Sequence, residues 1–207
     1  YIVIAGDRGL AGGYNSNVFK LADPEVEEQR GMVIAIGKKS VEHYERFNCE
    51  VVGQYAGIGE ELTPSVISRI SEKVDTLFGE GKCDSVHLVF TQFVTPLSQI
   101  ATKMQILPLK LYVEKRESSK IEPMVVYEPS AEVVFASIIP QYIAGMVYGG
   151  IVESYASEQG ARRTAMESAT NNAREMIDSL SLSYNRARQS AITQELTEIV
   201  AGANATR

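Results

Sequence analysis

Between Ala173 and Ala191 the residues Ala173, Ile177, Leu180, Tyr184, Ala187 and Ala191 recur at alternating steps of four and three, the spacing of a coiled-coil seam. A single helix cannot bury such a seam by itself. A helix from Ser130 to Ala203 would run to roughly 100 Å at about 1.5 Å per residue, several times the width of a small domain. It is therefore expected to leave the domain in which it starts and to meet partners. The seam is also lightly built. Its alanines admit a close neighbour, and only Ile177, Leu180 and Tyr184 are large. Serines, asparagines and Gln189 surround it, a polar but uncharged face that suits a shaft touching several partners without adhering to any.

Upstream, strands and helices alternate. Tyr1–Ala5 is a short β-branched run that ends at Gly6 and feeds the glycine-rich turn Gly6–Gly13. Asn15 or Ser16 offers an N-cap for a helix through Lys20, which Pro24 is predicted to end. Met32–Gly37 repeats the strand-then-glycine pattern, and Val41, Tyr44 and Phe47 then carry helical spacing over Lys38–Phe47. Val51–Gly59 is mixed. Thr63-Pro64 predicts an N-cap with proline at the first helical position, followed by an apolar stripe closed by Gly79. Ser85–Thr91 reads as a third strand, and Met104–Val113 as one or two more, interrupted at Pro108. Glu114–Pro123 reads as a solvated loop.

These elements predict an α/β fold: a Rossmann-like, mostly parallel sheet with helices on both faces, plus a long C-terminal helix that forms half of a coiled coil. Residues 1–129 form the globular head and 130–207 the helix, which is expected to project as a shaft beyond about Gly160. Ser130 is its candidate N-cap. Pro140 and the glycines 149, 150 and 160 weaken its first half, so packing on the head or a kink at Pro140 has to compensate. Ala161–Ala201 contains neither glycine nor proline, and Gly202 stands where a C-cap would close it.

Charge and cysteine usage narrow the function. With 26 acidic against 20 basic residues, the chain has no overall basic field of the kind that drives binding to nucleic acid or anionic lipid. Cys49 and Cys83 lack CxxC spacing, and with His43 and His87 they form no metal-ligand pattern. No uninterrupted apolar run reaches the ~20 residues of a membrane span, so direct membrane insertion is not expected. The start at Tyr1, already inside a strand pattern, leads us to expect that a segment upstream has been removed.

The glycines of the first loop lie at 6, 9, 12 and 13, which matches neither G-x-G-x-x-G nor G-x-x-x-x-G-K-[ST]. Asp7 and Arg8 read as a surface ion pair rather than catalytic partners. Neither histidine belongs to a Ser-His-Asp or Cys-His set. No catalytic residue, cofactor site or metal site emerges. Between Gly160 and Ser190 five arginines stand against three acids, a local positive excess on an acidic chain.

Specific motifs then come into view. Ile192-Thr-Gln-Glu-Leu-Thr-Glu-Ile-Val-Ala-Gly-Ala-Asn-Ala205, preceded by Tyr184-Asn-Arg-Ala-Arg-Gln189, closely resembles the C-terminal signature of the gamma subunits of F-type ATP synthases. Asp7–Asn17 resembles that family's first loop, and Ala156–Met166 its mid-helix motif. Gly6, Ala11 and Gly160 depart from the residues common there. The resemblance implies a non-catalytic central stalk whose coiled coil turns inside a ring of alpha and beta subunits. The foot of such a stalk rests on the membrane c-ring beside the epsilon subunit, coupling proton-driven rotation to ATP synthesis or hydrolysis. It also implies that the partner of the seam is the family's N-terminal helix, and that the complex sits on the cytoplasmic face of a bacterial membrane. Carried over by motif, Arg188, Gln189, Thr193, Glu195 and Glu198 are the expected coupling residues at the tip. Arg162 and Arg163 fall in the mid-shaft motif, and Tyr127 and Glu128 at the foot. The competing reading is a nucleotide-binding doubly wound enzyme whose long helix only dimerises.

Overall fold

The computed structural model describes residues 1–57, 59, 62–109, 128 and 130–205. It divides into two units, Tyr1–Thr164 and Ala165–Arg207. The first carries a five-stranded sheet in the order β3-β2-β1-β4-β5. Its strands are β1 (Ile2–Ile4), β2 (Val33–Ile36), β3 (Val51–Tyr55), β4 (Val86–Thr95) and β5 (Ser98–Leu107). Helices α1 (Tyr14–Glu28), α2 (Lys38–Tyr44) and α3 (Pro64–Gly79) connect them, and α4 (Ala131–Ala205) follows. The pairings of β1 with β2 and β4, and of β2 with β3, are parallel, while β4 and β5 form an antiparallel pair. The sheet is thus mostly parallel, with one antiparallel edge.

Side-chain alternation along the central strands sorts the core into two layers. Ile2, Ile4, Ile34, Ile36, Leu88 and Phe90 pack with Ile67, Ile70 and Val74 of α3 and with Ile143, Val147 and Ile151 of α4. On the other face Val3, Val33, Ala35 and Val89 meet Val18, Ala22 and Val26 of α1 and Tyr44 of α2. Each helix buries one row of residues three or four apart, so its amphipathic stripe dictates which layer it covers. Because both faces are covered, the inner strands read as unbroken apolar runs rather than alternating ones.

Tyr44 ties α2 to α1. It is buried, and its hydroxyl donates to Asp23 Oδ1 at 3.0 Å. Burial, reinforced by the Asp23 carboxylate, pushes the phenol far above its ordinary pKa, so it remains a donor at any physiological pH. Asp23 also meets His43 Nε2 at 3.0 Å, and the imidazole stacks on Phe19 at 3.9 Å between ring centroids. Tyr44→Phe is expected to lower stability by about 1–3 kcal/mol, the worth of a hydrogen bond to a charged group, as measured by urea denaturation.

Several local expectations need correction. α1 begins at Tyr14 with Gly13 as its N-cap, so neither Asn15 nor Ser16 caps it. The Asn15 side chain instead accepts from the Gly6 N–H at 2.8 Å. Pro24 does not end α1, which continues to Glu28. Pro24 lies on the exposed side, Lys20 is exposed where its carbonyl goes unpaired, and burial of Val26 carries the helix on. α2 stops at Tyr44, short of Phe47. Val51–Tyr55 is an edge strand that its mixed composition concealed. β4 extends to Thr95 and turns through Pro96-Leu97 into β5, so the strand expected from Met104 begins at Ser98. Residues 110–127, which include the expected end of that strand at Val113, the solvated loop and Tyr127, lie outside the described residues.

Helix α4 runs through Pro140 without a break. Ala136, whose carbonyl loses its partner there, is exposed, and the buried row Ile143, Val147 and Ile151 holds the following turns. One window of α4 reaches a mean hydropathy of 1.4, enough by length and composition for a membrane span. Ile143, Val147 and Ile151 of this helix nevertheless belong to the core layer on the sheet. Gly202 does not close α4, which continues to Ala205.

The second unit holds the rest of α4. Every residue from Met166 to Gly202 is exposed. The seam anchors are among them, Ile177 at 61%, Leu180 at 62% and Tyr184 at 67%. Ile192, Leu196 and Ile199 form a further exposed apolar row. At about 100° per residue it points away from the seam row, so the two stripes face different directions on the same helix.

Candidate functional site

Doubly wound sheets bind ligands in the crevice beyond the carboxyl ends of their strands, where the strand order reverses. Here that place adjoins β1 and β4, and α4 fills it. Ser154 Oγ accepts the Thr91 N–H at 3.2 Å, while Ser157 Oγ donates to the Thr91 carbonyl at 3.2 Å. The Tyr14 hydroxyl donates to the Ser154 carbonyl at 3.0 Å, and burial pushes this phenol, too, above its ordinary pKa. The cavity left among Ala5, Asp7, Tyr14, Gly37, Ser154 and Glu158 measures about 10 Å³. That volume suits a single water and is far too small for a nucleotide.

The glycine-rich turn is a structural clamp. Asp7 Oδ1 accepts the N–H groups of Lys38 at 2.8 Å and Gly57 at 2.7 Å, and Oδ2 accepts that of Gly59 at 3.2 Å. The carboxylate thereby ties together the loops after β1, β2 and β3, a use of Asp7 that differs from the surface pair with Arg8 expected from sequence. The Arg8 N–H points at Glu158 Oε1, 3.4 Å away.

Glu158 is 5% exposed and forms an ion pair with Arg162 one turn later. The Arg162 guanidinium also donates to Gln159 Oε1 at 3.0 Å and approaches the Gly9 carbonyl at 3.4 Å. A Cβ on Gly6 would lie 2.7 Å from the Glu158 carboxyl, so a side chain there requires the carboxylate to shift from its place over the end of β1. Arg162 is thus engaged within its own unit, whereas Arg163 is exposed. Sequence reasoning quoted Glu158 within a motif without singling it out. Its signal was available: Ile143, Val147, Ile151, Ser154 and Glu158 continue one helical row, and polar residues that prolong a buried row need partners.

The residues expected at the tip spread around α4. Arg188 and Glu195 share one side two turns apart, and Gln189 and Thr193 share another. Thr193 Oγ1 donates to the Gln189 carbonyl at 2.9 Å, and Glu198 accepts from Gln194 Nε2 at 3.0 Å. All of them are exposed. Glu128 is exposed as well, and Tyr127 is outside the described residues. Cys49 and Cys83 are free and half-buried, and burial pushes both thiols above their ordinary pKa, away from reactive thiolate. Among the described residues no cluster of three metal-ligating side chains occurs.

Comparison with known proteins agrees with this arrangement. The family profile described as ATP synthase matches residues 1–206. The ATP synthase gamma chain of Ruminococcus albus is 50% identical over 204 residues, covering 96% of this chain and 70% of that one. That of Heliobacterium modesticaldum is 41% identical over 211 residues, covering 99% and 73%. The sodium-ion-specific gamma chain of Acetobacterium woodii is 42% identical over 222 residues, covering 99% and 74%. Among solved structures, a chain of the Euglena gracilis mitochondrial ATP synthase, from its OSCP/F1/c-ring assembly, superposes with a TM-score of 0.73 at 19% identity, covering 100% of this chain and 72% of that one. A chain of the Tetrahymena thermophila central stalk and c-ring gives a TM-score of 0.64 at 21% identity, covering 82% and 75%. By identity along nearly its whole length, and by fold, the chain belongs to the ATP synthase gamma-chain family.

Proposed function

We propose that this chain is the central rotor stalk of an F-type ATP synthase, a non-catalytic subunit that couples proton-driven rotation of the membrane ring to ATP synthesis or hydrolysis. The carrying observation is the unbroken exposed run from Met166 to Gly202 on one helix, polar over most of its surface. Such a surface lets the shaft present different faces in turn to the alpha and beta subunits around it. Outside the seam and the row of Ile192, Leu196 and Ile199, large apolar anchors are few, and so are the deep energy minima that would resist turning. The seam from Ala173 to Ala191 is the face for the chain's own N-terminal helix. Tyr127, Glu128 and the sheet-bearing unit belong to the foot, beside the epsilon subunit and the c-ring, on the cytoplasmic face of a bacterial membrane.

Arg188, Gln189, Thr193, Glu195 and Glu198 mark angular positions through hydrogen bonds to the beta subunits. Arg162 and Arg163 act lower on the shaft. Each charge-assisted contact that is desolvated contributes about 1.5–3 kcal/mol. Combined Arg188→Ala, Gln189→Ala and Thr193→Ala in the assembled complex is expected to slow ATP-driven ion pumping by at least about tenfold, equivalent to about 1.4 kcal/mol. Pumping and hydrolysis in membrane vesicles measure this together. Unchanged rates for both would remove the assignment of the tip.

A further inference from the structure

The crevice that α4 fills holds a group for which neither the sheet nor the shaft has an evident need, the buried carboxylate of Glu158. A core helix of this kind could close its row with an apolar residue. Instead it places a charge directly over Gly6. Around it converge the Arg8 N–H, the Arg162 guanidinium and, through Arg162, the Gly9 carbonyl. One turn before it and directly before it, Ser154 and Ser157 fasten α4 to Thr91 in the middle of β4. These polar contacts are directional, unlike the apolar rows of Ile143, Val147 and Ile151, which resist separation of helix and sheet but permit small rotations about the helix axis.

We infer that Glu158 is a positioning residue that fixes the rotational setting of α4 on the sheet, acting through Arg162. The inference rests on the central-rotor reading. A twisting load on the sheet-bearing unit has to enter α4 before it can travel along that helix. Ser154 and Ser157 hold the helix to β4, and Glu158 with Arg162 holds it to the loop after β1, so the helix is pinned from two adjacent strands. Two pins on different strands define an angle, which one pin or an apolar stripe does not. Gly6 belongs to the same device, because a side chain there would displace the carboxylate.

The test uses the complete complex carrying the full-length chain, with a probe fixed to the sheet-bearing unit and its angle followed during catalytic pauses. Glu158→Gln keeps the shape and loses the ion pair. Arg162→Lys keeps the charge and loses the planar fork. Both are expected to widen the angular variance at least about twofold, while Glu167→Gln, on an exposed part of α4, leaves it unchanged. Wild-type variance in either variant, even with a lowered melting temperature, would overturn the inference. So would loss of assembly in both, which would make the pair a folding requirement instead. A wild-type complex that hydrolyses ATP without any rotation would sink the rotor reading and is distinguishable from each of these results.

Discussion

Gly37→Ala is expected to destabilise the chain by about 3–5 kcal/mol, the largest single-residue effect we anticipate. Gly37 follows β2 with φ +89°, a conformation unfavourable for any residue with a Cβ. That alone costs about 1–2 kcal/mol. The added Cβ would also stand 2.0 Å from the Ala5 carbonyl oxygen and 2.8 Å from its carbon. Neither neighbour is a side chain that can swing away. Ala5 donates its N–H to the Ile36 carbonyl, and the Gly37 N–H is held by the Tyr55 carbonyl at 2.7 Å, so relief requires parting three strands. For a chain of this size the change amounts to a melting point lower by roughly 10–15 °C, read by far-UV circular dichroism. Gly81→Ala is the control. Its φ is +67° but nothing lies within 4 Å of the added Cβ, so only the conformational cost applies.

Gly150→Leu is expected to cost about 2–3 kcal/mol, although leucine is the better helix former by close to 1 kcal/mol. The Cβ would meet Leu88 Cδ2 at 2.8 Å and Ile4 Cδ1 at 3.2 Å, both in the packed layer beneath α4. Branching further outward would lift the helix from the sheet. Gly145→Ala and Gly149→Ala face open space and should instead stabilise by up to about 1 kcal/mol. Opposite signs from neighbouring glycines of one helix, in chemical denaturation, would establish that α4 owes its closeness to the sheet to Gly150. Equal signs would refute that.

The sequence revealed the inner strands and the packed helices because their patterns are strong. Ile2–Ile4 and Val33–Ile36 are unbroken, β-branched-rich apolar runs soon followed by glycine, and Ile67, Ile70 and Val74 repeat at helical spacing. It concealed elements whose surroundings decide their state. β3 and the far halves of β4 and β5 lie at sheet edges, where half-exposed strands carry polar residues such as Gln54, Gln92 and Thr95. Pro24, Pro140 and Gly202 each looked like a stop. Burial of Val26 and Ile143 shows what outweighs the two prolines, and Gly202 stands three residues before the end of α4. As for the site, the residues expected at the tip and along the seam could be proposed because they recur in motifs or in a period. The row that ends in Glu158 was there to be read, but its partners were not, because Gly6, Arg8 and Gly9 lie far away in the chain.

The place of β1 at the middle of the sheet also shapes how the chain can be made. Ile2 pairs with Ile34 on one side but with Leu88 on the other, and Ile143, Val147 and Ile151 must arrive before its α4-facing layer is covered. Such long separations raise contact order and slow folding. At about 5–20 residues per second, a ribosome needs roughly 7–30 seconds to travel from Ile4 to Ile151, and through that interval an apolar strand waits with an open edge. Synthesis is therefore a stage at which such a strand is open to misassembly.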